Sequence, residues 1–209
     1  MPDPTQTKID GPDDAPITLL FAHGAGAPMD APFMEKVAAT LGRRGWRVKR
    51  FEFPYMASMR NGGPRRPPDP LPRLLDRFRE EIATETGRRL VLAGKSMGGR
   101  MASMVADDSE AIGWLCFGYP FHPPGRPEKT RTDHLESLKT PGLILQGTRD
   151  ALGNREDVAG YTLAPGIKIH WTEDGDHHLA PRKASGRSHG EALDEAILAA
   201  DAFLRGLSG

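Results

Sequence analysis

Ser96 sits in the run Gly94-Lys95-Ser96-Met97-Gly98-Gly99, a G-x-S-x-G pattern between the apolar stretch Leu90 to Ala93 and a stretch of helical character, Met97 to Asp107. A strand that turns sharply into a helix strains the residue at the turn, and glycines two places before and after it remove side chains that would collide there. A serine so placed projects its Oγ above the strand ends, beside the positive end of the helix dipole. With 24 glycines in the chain, chance supplies ~0.1 such matches, so the strand-turn-helix context carries most of the weight. The chemistry it suggests is attack by a hydroxyl, which needs a base, a carboxylate to orient that base, and donors for the oxyanion that develops.

Partners of those types follow in a workable order, serine then acid then histidine, each after a later apolar run. Asp150 closes Gly147-Thr148-Arg149-Asp150 behind the run GLILQ, and His177 lies in Asp174-Gly175-Asp176-His177-His178 behind the run IKIHW. His178 is adjacent, and a rotation of one residue would present it in place of His177; Asp174 and Asp176 are alternative partners for an imidazole. The oxyanion donors expected are the N–H of Met97, directly after the serine, and that of Ala25 in Ala22-His23-Gly24-Ala25-Gly26-Ala27, with Gly26 as the alternative. Gly24 and Gly26 would let the backbone pass close to a substrate. His23, His122, His134, His170 and His189 read as packing, capping or surface residues. Metal-ligand spacing such as H-E-x-x-H is absent, so no metal and no cofactor are expected. Gly94-Lys95-Ser96 also resembles the tail of a phosphate-binding P-loop, but that motif needs glycine where Arg89 stands, and the residues between form an apolar run. Lys95 then reads as the variable residue before the serine.

The scaffold for these residues is legible as alternating patterns along the chain. Short β-rich runs occur at Ile17 to Ala22, Arg47 to Phe53, Leu90 to Ala93, Gly113 to Tyr119, Gly142 to Gln146 and Ile167 to Trp171, and four of them are nearly continuous in apolar residues, as in strands covered on both faces. Between them, Phe33, Met34, Val37, Ala38 and Leu41, then Leu71, Leu74, Leu75, Phe78 and Ile82, fall on helical spacing, as do Leu193, Ala196, Ile197, Ala200, Phe203, Leu204 and Leu207 near the end. The alternation predicts an open, doubly wound, mostly parallel α/β sheet with right-handed crossovers. Pro54 to Pro72 and Pro120 to Glu136 read as irregular loops at strand C-terminal ends, where such sheets bind ligands. Their leading residues Tyr55, Met56, Phe121 and His122 are therefore expected on the rim of a substrate pocket. Arg60, Arg65 and Arg66 add positive charge to the first loop.

The chain of 209 residues fits one domain, 1–209, with residues 1–15 as an extended or flexible N-terminal segment. Its 38% hydrophobic and 27% charged content suits a globular protein, and 28 basic against 28 acidic residues leave a formal charge of zero, so nucleic acid is not an expected partner. A single cysteine, Cys116, excludes an internal disulfide framework. The acidic start lacks a signal peptide's basic and apolar regions, and no apolar run approaches the roughly 18 residues that span a bilayer. The expected location is the cytoplasm, without membrane association.

The segments AHGAGAPMD, FEFPYM, GKSMGGRM, GYPFHPPG, LILQGTRD and GDHHL, in this order, resemble the short α/β-hydrolases of the dienelactone-hydrolase-like type. They are most similar to a bacterial branch related to the hydrolase-like part of a nonspecific-lethal chromatin-complex subunit. The resemblance spans Ile17 to Leu207. It implies an α/β-hydrolase fold, a single open sheet of about six or seven strands with helices on both faces and little or no cap, with Ser96, Asp150 and His177 in the triad positions. Dienelactone hydrolases proper carry cysteine as nucleophile where this chain has serine, which removes the ground for assigning their lactone substrate. The short insertion at Pro120 disfavours a long-chain lipid. The function expected is hydrolysis of a small carboxylic ester or thioester through a tetrahedral intermediate and an acyl-enzyme. The rival readings are an inactive hydrolase-fold interaction protein and a perhydrolase or haloperoxidase using the same three residues.

Overall fold

A computed structural model describes residues 7–208 of the chain. Seven strands form one open sheet in the order β1-β3-β2-β4-β5-β6-β7. They are β1 (Thr7–Asp10), β2 (Thr18–Ala22), β3 (Arg47–Phe51), β4 (Leu90–Lys95), β5 (Gly113–Phe117), β6 (Gly142–Gly147) and β7 (Ile167–Thr172). All neighbours pair in parallel except β1, which runs antiparallel to β3. The helices are α1 (Pro32–Arg43), α2 (Pro54–Arg60), α3 (Leu71–Ala83), α4 (Met97–Val105), α5 (Arg155–Ala159) and α6 (His189–Ser208).

Strands β2 to β6 are buried along their whole length, because each face of the sheet carries a helical layer. Side-chain alternation divides the core in two. Leu19, Phe21, Val91, Ala93, Leu115, Phe117 and Leu145 pack against Val37, Ala38 and Leu41 of α1 and Ala196, Ile197 and Leu204 of α6. Leu20, Ala22, Leu92, Trp114, Cys116 and Ile144 pack against Leu74 and Phe78 of α3 and Met101 and Val105 of α4. From β2 the chain steps outward to β3, then crosses back so that β4 lies on the other side of β2. The connections after β2 and β4 therefore leave in opposite directions, opening a crevice at their C-terminal ends.

Two features depart from expectation. Thr7–Asp10 forms edge strand β1, held to β3 by the ladder and by Arg50 Nη2, 2.8 Å from Asp10 Oδ2; residues 1–6 of the expected extended segment lie outside the described residues. Pro54 to Pro72 is not irregular throughout, because its first residues form α2. Pro54 sits at the first helical position, where its missing N–H costs nothing and its fixed φ is already helical. The other loop, Pro120 to Glu136, holds only a single 3-10 turn at Asp133–Leu135, so no helical cap covers the crevice from that side. Among the described residues no helix is long and apolar enough to cross a membrane.

Candidate active site

The turn after β4 brings Ser96 to φ 51°, ψ −114°, a left-handed strain that costs a non-glycine residue about 1–3 kcal/mol. The glycines around it are dictated by contact. A Cβ on Gly94 would lie 2.2 Å from the Gly98 carbonyl carbon, and one on Gly98 would lie 2.5 Å from Ala22 O and 2.6 Å from His23 O. A Cβ on Gly99 would lie 2.1 Å from Cys116 Sγ. The N-terminus of α4 is thus pressed onto the ends of β2, β4 and β5. Leu90–Lys95 is strand and not loop, which disposes of the P-loop reading.

Two further close approaches bring the other loops over Ser96. A Cβ on Gly147, at the end of β6, would lie 2.3 Å from both Gly175 O and Asp176 O, so the loops after β6 and β7 lie directly against each other. Gly118, at φ 67°, lets the same β7 loop approach the end of β5, since a Cβ there would meet His177 O at 2.7 Å. The result is a hydrogen-bonded chain of three side chains. His177 Nε2 lies 2.8 Å from Ser96 Oγ, and His177 Nδ1 lies 2.7 Å from Asp150 Oδ2. The carboxylate can only accept, so Nδ1 carries the proton and Nε2 is left to accept from the serine hydroxyl.

Asp150 is fully buried, and its oxygens are met by donors. Gln146 Nε2 donates to Oδ2 at 2.9 Å and Leu152 N to Oδ1 at 2.8 Å. Gln146 itself spans the end of the sheet, accepting from Tyr119 N at 2.7 Å and donating to Gly153 O at 2.9 Å. His178, the alternative to His177, lies beside it on the Ser96 side, with ring centres 5.7 Å apart, while the bonds to Ser96 and Asp150 are made by the His177 ring. The His178 N–H donates to Asp176 Oδ1 and its carbonyl accepts from His189 Nε2. Asp176 also accepts from Ala180 N, and Asp174 pairs with Arg149 and Arg182. Neither of those acids reaches the His177 ring.

The loop after β2 lies against Ser96. A Cβ on Gly24 would be 3.8 Å from Ser96 Cβ, ordinary van der Waals contact. His23, wholly buried, fixes this loop to the end of β3: Phe53 N donates to its Nε2 at 3.1 Å, and its Nδ1–H donates to Gly24 O at 2.6 Å. Burial lowers its pKa, so it stays neutral. Met97 opens α4, so its N–H has no intrahelical acceptor. Ala25 and Gly26 stand with Gly24, Ala27, Ala31, Phe33, Met34, Lys95, Ser96, His177 and His178 around a cavity of about 380 Å³, largely apolar in its walls. Ser96 and the exposed edge of His177 open onto it.

The four residues expected on the pocket rim are distributed differently. Tyr55 is buried beneath the β2 loop, its hydroxyl donating to Ala25 O at 2.9 Å and Gly24 O at 3.3 Å, so it supports the cavity wall without lining it. Phe121 is fully buried against Tyr119, Tyr161 and Gly153. His122 turns to the carbonyl of Pro123 and to Asp157. Met56 lines a second concavity with Met59, Arg65, Arg66, Pro67 and Pro68, which meets the first at Ala25 and Gly26. The physical reason is that the chain after β3 and β5 turns inward and packs its aromatic residues into the core. Arg60 is not available to a substrate, being held by both Glu52 and Asp30. Sequence reasoning missed Phe33, Met34 and Ala31, which reach the cavity from the start of α1, and the wall position of Lys95. It missed Gln146 too. Among the described residues, no three His, Cys, Asp or Glu side chains are grouped to hold a metal.

The profile of the family described as alpha/beta hydrolase domain matches residues 15–205, and the chain belongs to that family. Solved structures agree in fold. An α/β serine hydrolase homologue from Coxiella burnetii superposes with a TM-score of 0.66 at 19% identity, covering 91% of this chain and 89% of its own. A Xanthomonas campestris α/β serine hydrolase without a lid gives 0.66 at 19% identity over 96% and 86%, and an esterase domain from a Rhodothermus marinus protein 0.70 at 16% over 98% and 94%.

Proposed function

We propose that this protein hydrolyses a small carboxylic ester or thioester, with Ser96 as nucleophile, His177 as general base and acid, and Asp150 as the group that orients and stabilises His177. The observation that carries this reading is the unbroken chain from Asp150 Oδ2 through His177 to Ser96 Oγ, opening onto an apolar cavity. The names of the structural neighbours, hydrolases and an esterase domain, point the same way.

In this scheme Ser96 Oγ attacks the acyl carbon while its proton passes to His177 Nε2. The imidazolium is stabilised through Nδ1–H by the buried Asp150. The oxyanion accepts hydrogen bonds from the N–H groups of Met97 and Ala25, each such donor being worth about 2.7–4 kcal/mol of barrier. Collapse breaks the carbonyl-to-leaving-group bond, and the departing alcohol or thiol takes the proton from Nε2. Water then attacks the acyl-enzyme, giving its proton to Nε2, and the acid leaves as the proton returns to Oγ. The cavity, at about 380 Å³, is near the lower end of ligand pockets and suits a short acyl group.

A fluorophosphonate probe is expected to label the wild-type protein, and Ser96→Ala to abolish both labelling and turnover of short-chain aryl esters. Unchanged turnover in Ser96→Ala would remove the mechanism. The absence of labelling and turnover in the wild type would favour the interaction-protein reading instead.

A further inference from the structure

Among the described residues five cationic side chains are buried: Arg47, Lys49, Arg50, Arg77 and Lys95. Four of them have a carboxylate in contact: Arg47 and Lys49 meet Glu85, Arg50 meets Asp10, and Arg77 meets Glu81. Lys95 has none. Its Nζ donates to the carbonyl of His177 at 2.6 Å and stands 5.6 Å from the centre of the Phe33 ring. An ammonium has three protons to give, and a buried charge without a counter-ion is costly. This one is in the wall of the cavity that also holds Ser96.

We propose that Lys95 is the specificity-determining residue of this site, and that its ammonium selects an acyl group ending in an anion, such as the free carboxylate of a dicarboxylic acid half-ester. The inference rests on the Ser96 reading above. The rest of the wall, Phe33, Met34, Ala27 and Ala31, offers apolar surface to a methylene chain. Among the described residues of the wall Lys95 alone carries an amine, and a charge-assisted hydrogen bond beside apolar walls discriminates strongly between a terminal carboxylate and a terminal methyl. Burial lowers the Lys95 pKa to about 8, against the longer-range pull of the Asp150 and Asp176 carboxylates, while the nearby Cys116 thiol is itself pushed up by burial and stays neutral. His178 also faces it from the β7 loop, and His177 offers it a carbonyl. The charge is therefore present at neutral pH and fades as pH rises through about 8, and preference for the anionic substrate fades with it.

The test compares methyl half-esters of succinate, glutarate and adipate with methyl butanoate, pentanoate and hexanoate, which replace the carboxylate by a methyl group. The kcat/KM ratio of anionic to neutral ester is expected to exceed about tenfold at one chain length at pH 7. In Lys95→Gln, which keeps a donor for His177 O without the charge, the ratio should fall to near one or below, and Lys95→Arg should retain part of it. Because misplacement of His177 would slow both esters alike, the ratio isolates the charge. In Ser96→Ala, calorimetric binding of monomethyl glutarate should be measurable, and adding Lys95→Gln should abolish it. A ratio near one at every chain length in wild type, or a ratio unchanged in Lys95→Gln, overturns the proposal while leaving the Ser96 reading intact. No turnover of any ester and no fluorophosphonate label would overturn that reading, whereas Lys95-dependent binding in Ser96→Ala would still support the anion site.

Discussion

At Asp150 a carboxylate is held fully out of water, and it tolerates that position because Gln146, Leu152 and His177 each present a donor to it. Removing its charge while keeping its shape should disable the histidine while the chain still folds. Asp150→Asn is expected to lower kcat by about 10⁴-fold and, because its amide NH2 would face the Gln146 donor, to cost about 1–3 kcal/mol of stability. Gln146→Leu should lower stability as well as rate, since Tyr119 N and Asp150 would each lose a buried partner at roughly 1–3 kcal/mol apiece. Ester kinetics beside urea titrations check both. That Ser96, His177 and Asp150 come together in a hydrogen-bonded row was legible in the sequence, because their types and order follow from the chemistry proposed for them. Gln146 and Lys95 were not, since Gln146 belongs to no recurring motif, Lys95 fills a variable place of the G-x-S-x-G pattern, and what each meets lies far away along the chain. Tyr55, Phe121 and His122 were misplaced because a position after a strand does not say whether the side chain turns outward to solvent or inward to the core.

The strand-to-helix turn around Ser96 depends on close backbone approach, so its glycines should be far less tolerant than others in the site. Gly98→Ala would push a methyl to 2.5 Å from Ala22 O, whereas a Cβ on Gly26 meets nothing within 4 Å. Gly98→Ala is expected to cost about 3 kcal/mol or more and to lower the melting temperature by roughly 10 °C. Gly26→Ala should leave it within about 2 °C, and thermal melts of the two variants decide the matter. The same scale explains which elements the sequence exposed. Strands β2 and β4 to β6 announce themselves because burial on both faces demands unbroken apolar runs. Strand β1 does not, being an exposed edge with the polar sequence TKID. Helix α2 was hidden among prolines that would break a helix interior but favour its first turn.

Over the whole molecule, formal charge balances at zero at pH 7, so general repulsion is small there and grows only as carboxylates protonate, and the first response to acid is set by particular buried groups. Burial, aided by the nearby Arg100 charge, lowers the His134 pKa to about 4. The unfolded chain binds that proton near pH 6.5. Between those values only the unfolded state is protonated at this site, so stability should fall as pH drops from about 6.5 to about 4 and be insensitive to this group above that window. Buried His23 and the partly buried His178 act in the same direction. Below that, Asp30, lowered to about 2 by its hydrogen bond to Arg60, should give up its contribution as pH falls from about 3.8 toward 2. His134→Gln should flatten the upper part of the curve. Urea midpoints at steps from pH 7 to pH 4 measure it, and a variant curve parallel to the wild type would contradict the assignment.

The scheme as a whole stands on one hydroxyl being made nucleophilic by its neighbours. The most direct measurement is intact-mass spectrometry after fluorophosphonate treatment, followed by peptide mapping of the adduct. A single phosphonyl group on Ser96, formed far more slowly when Asp150 is replaced by Asn, is the predicted result. An adduct on another residue, or Ser96 left unmodified while ester turnover continues, would contradict it.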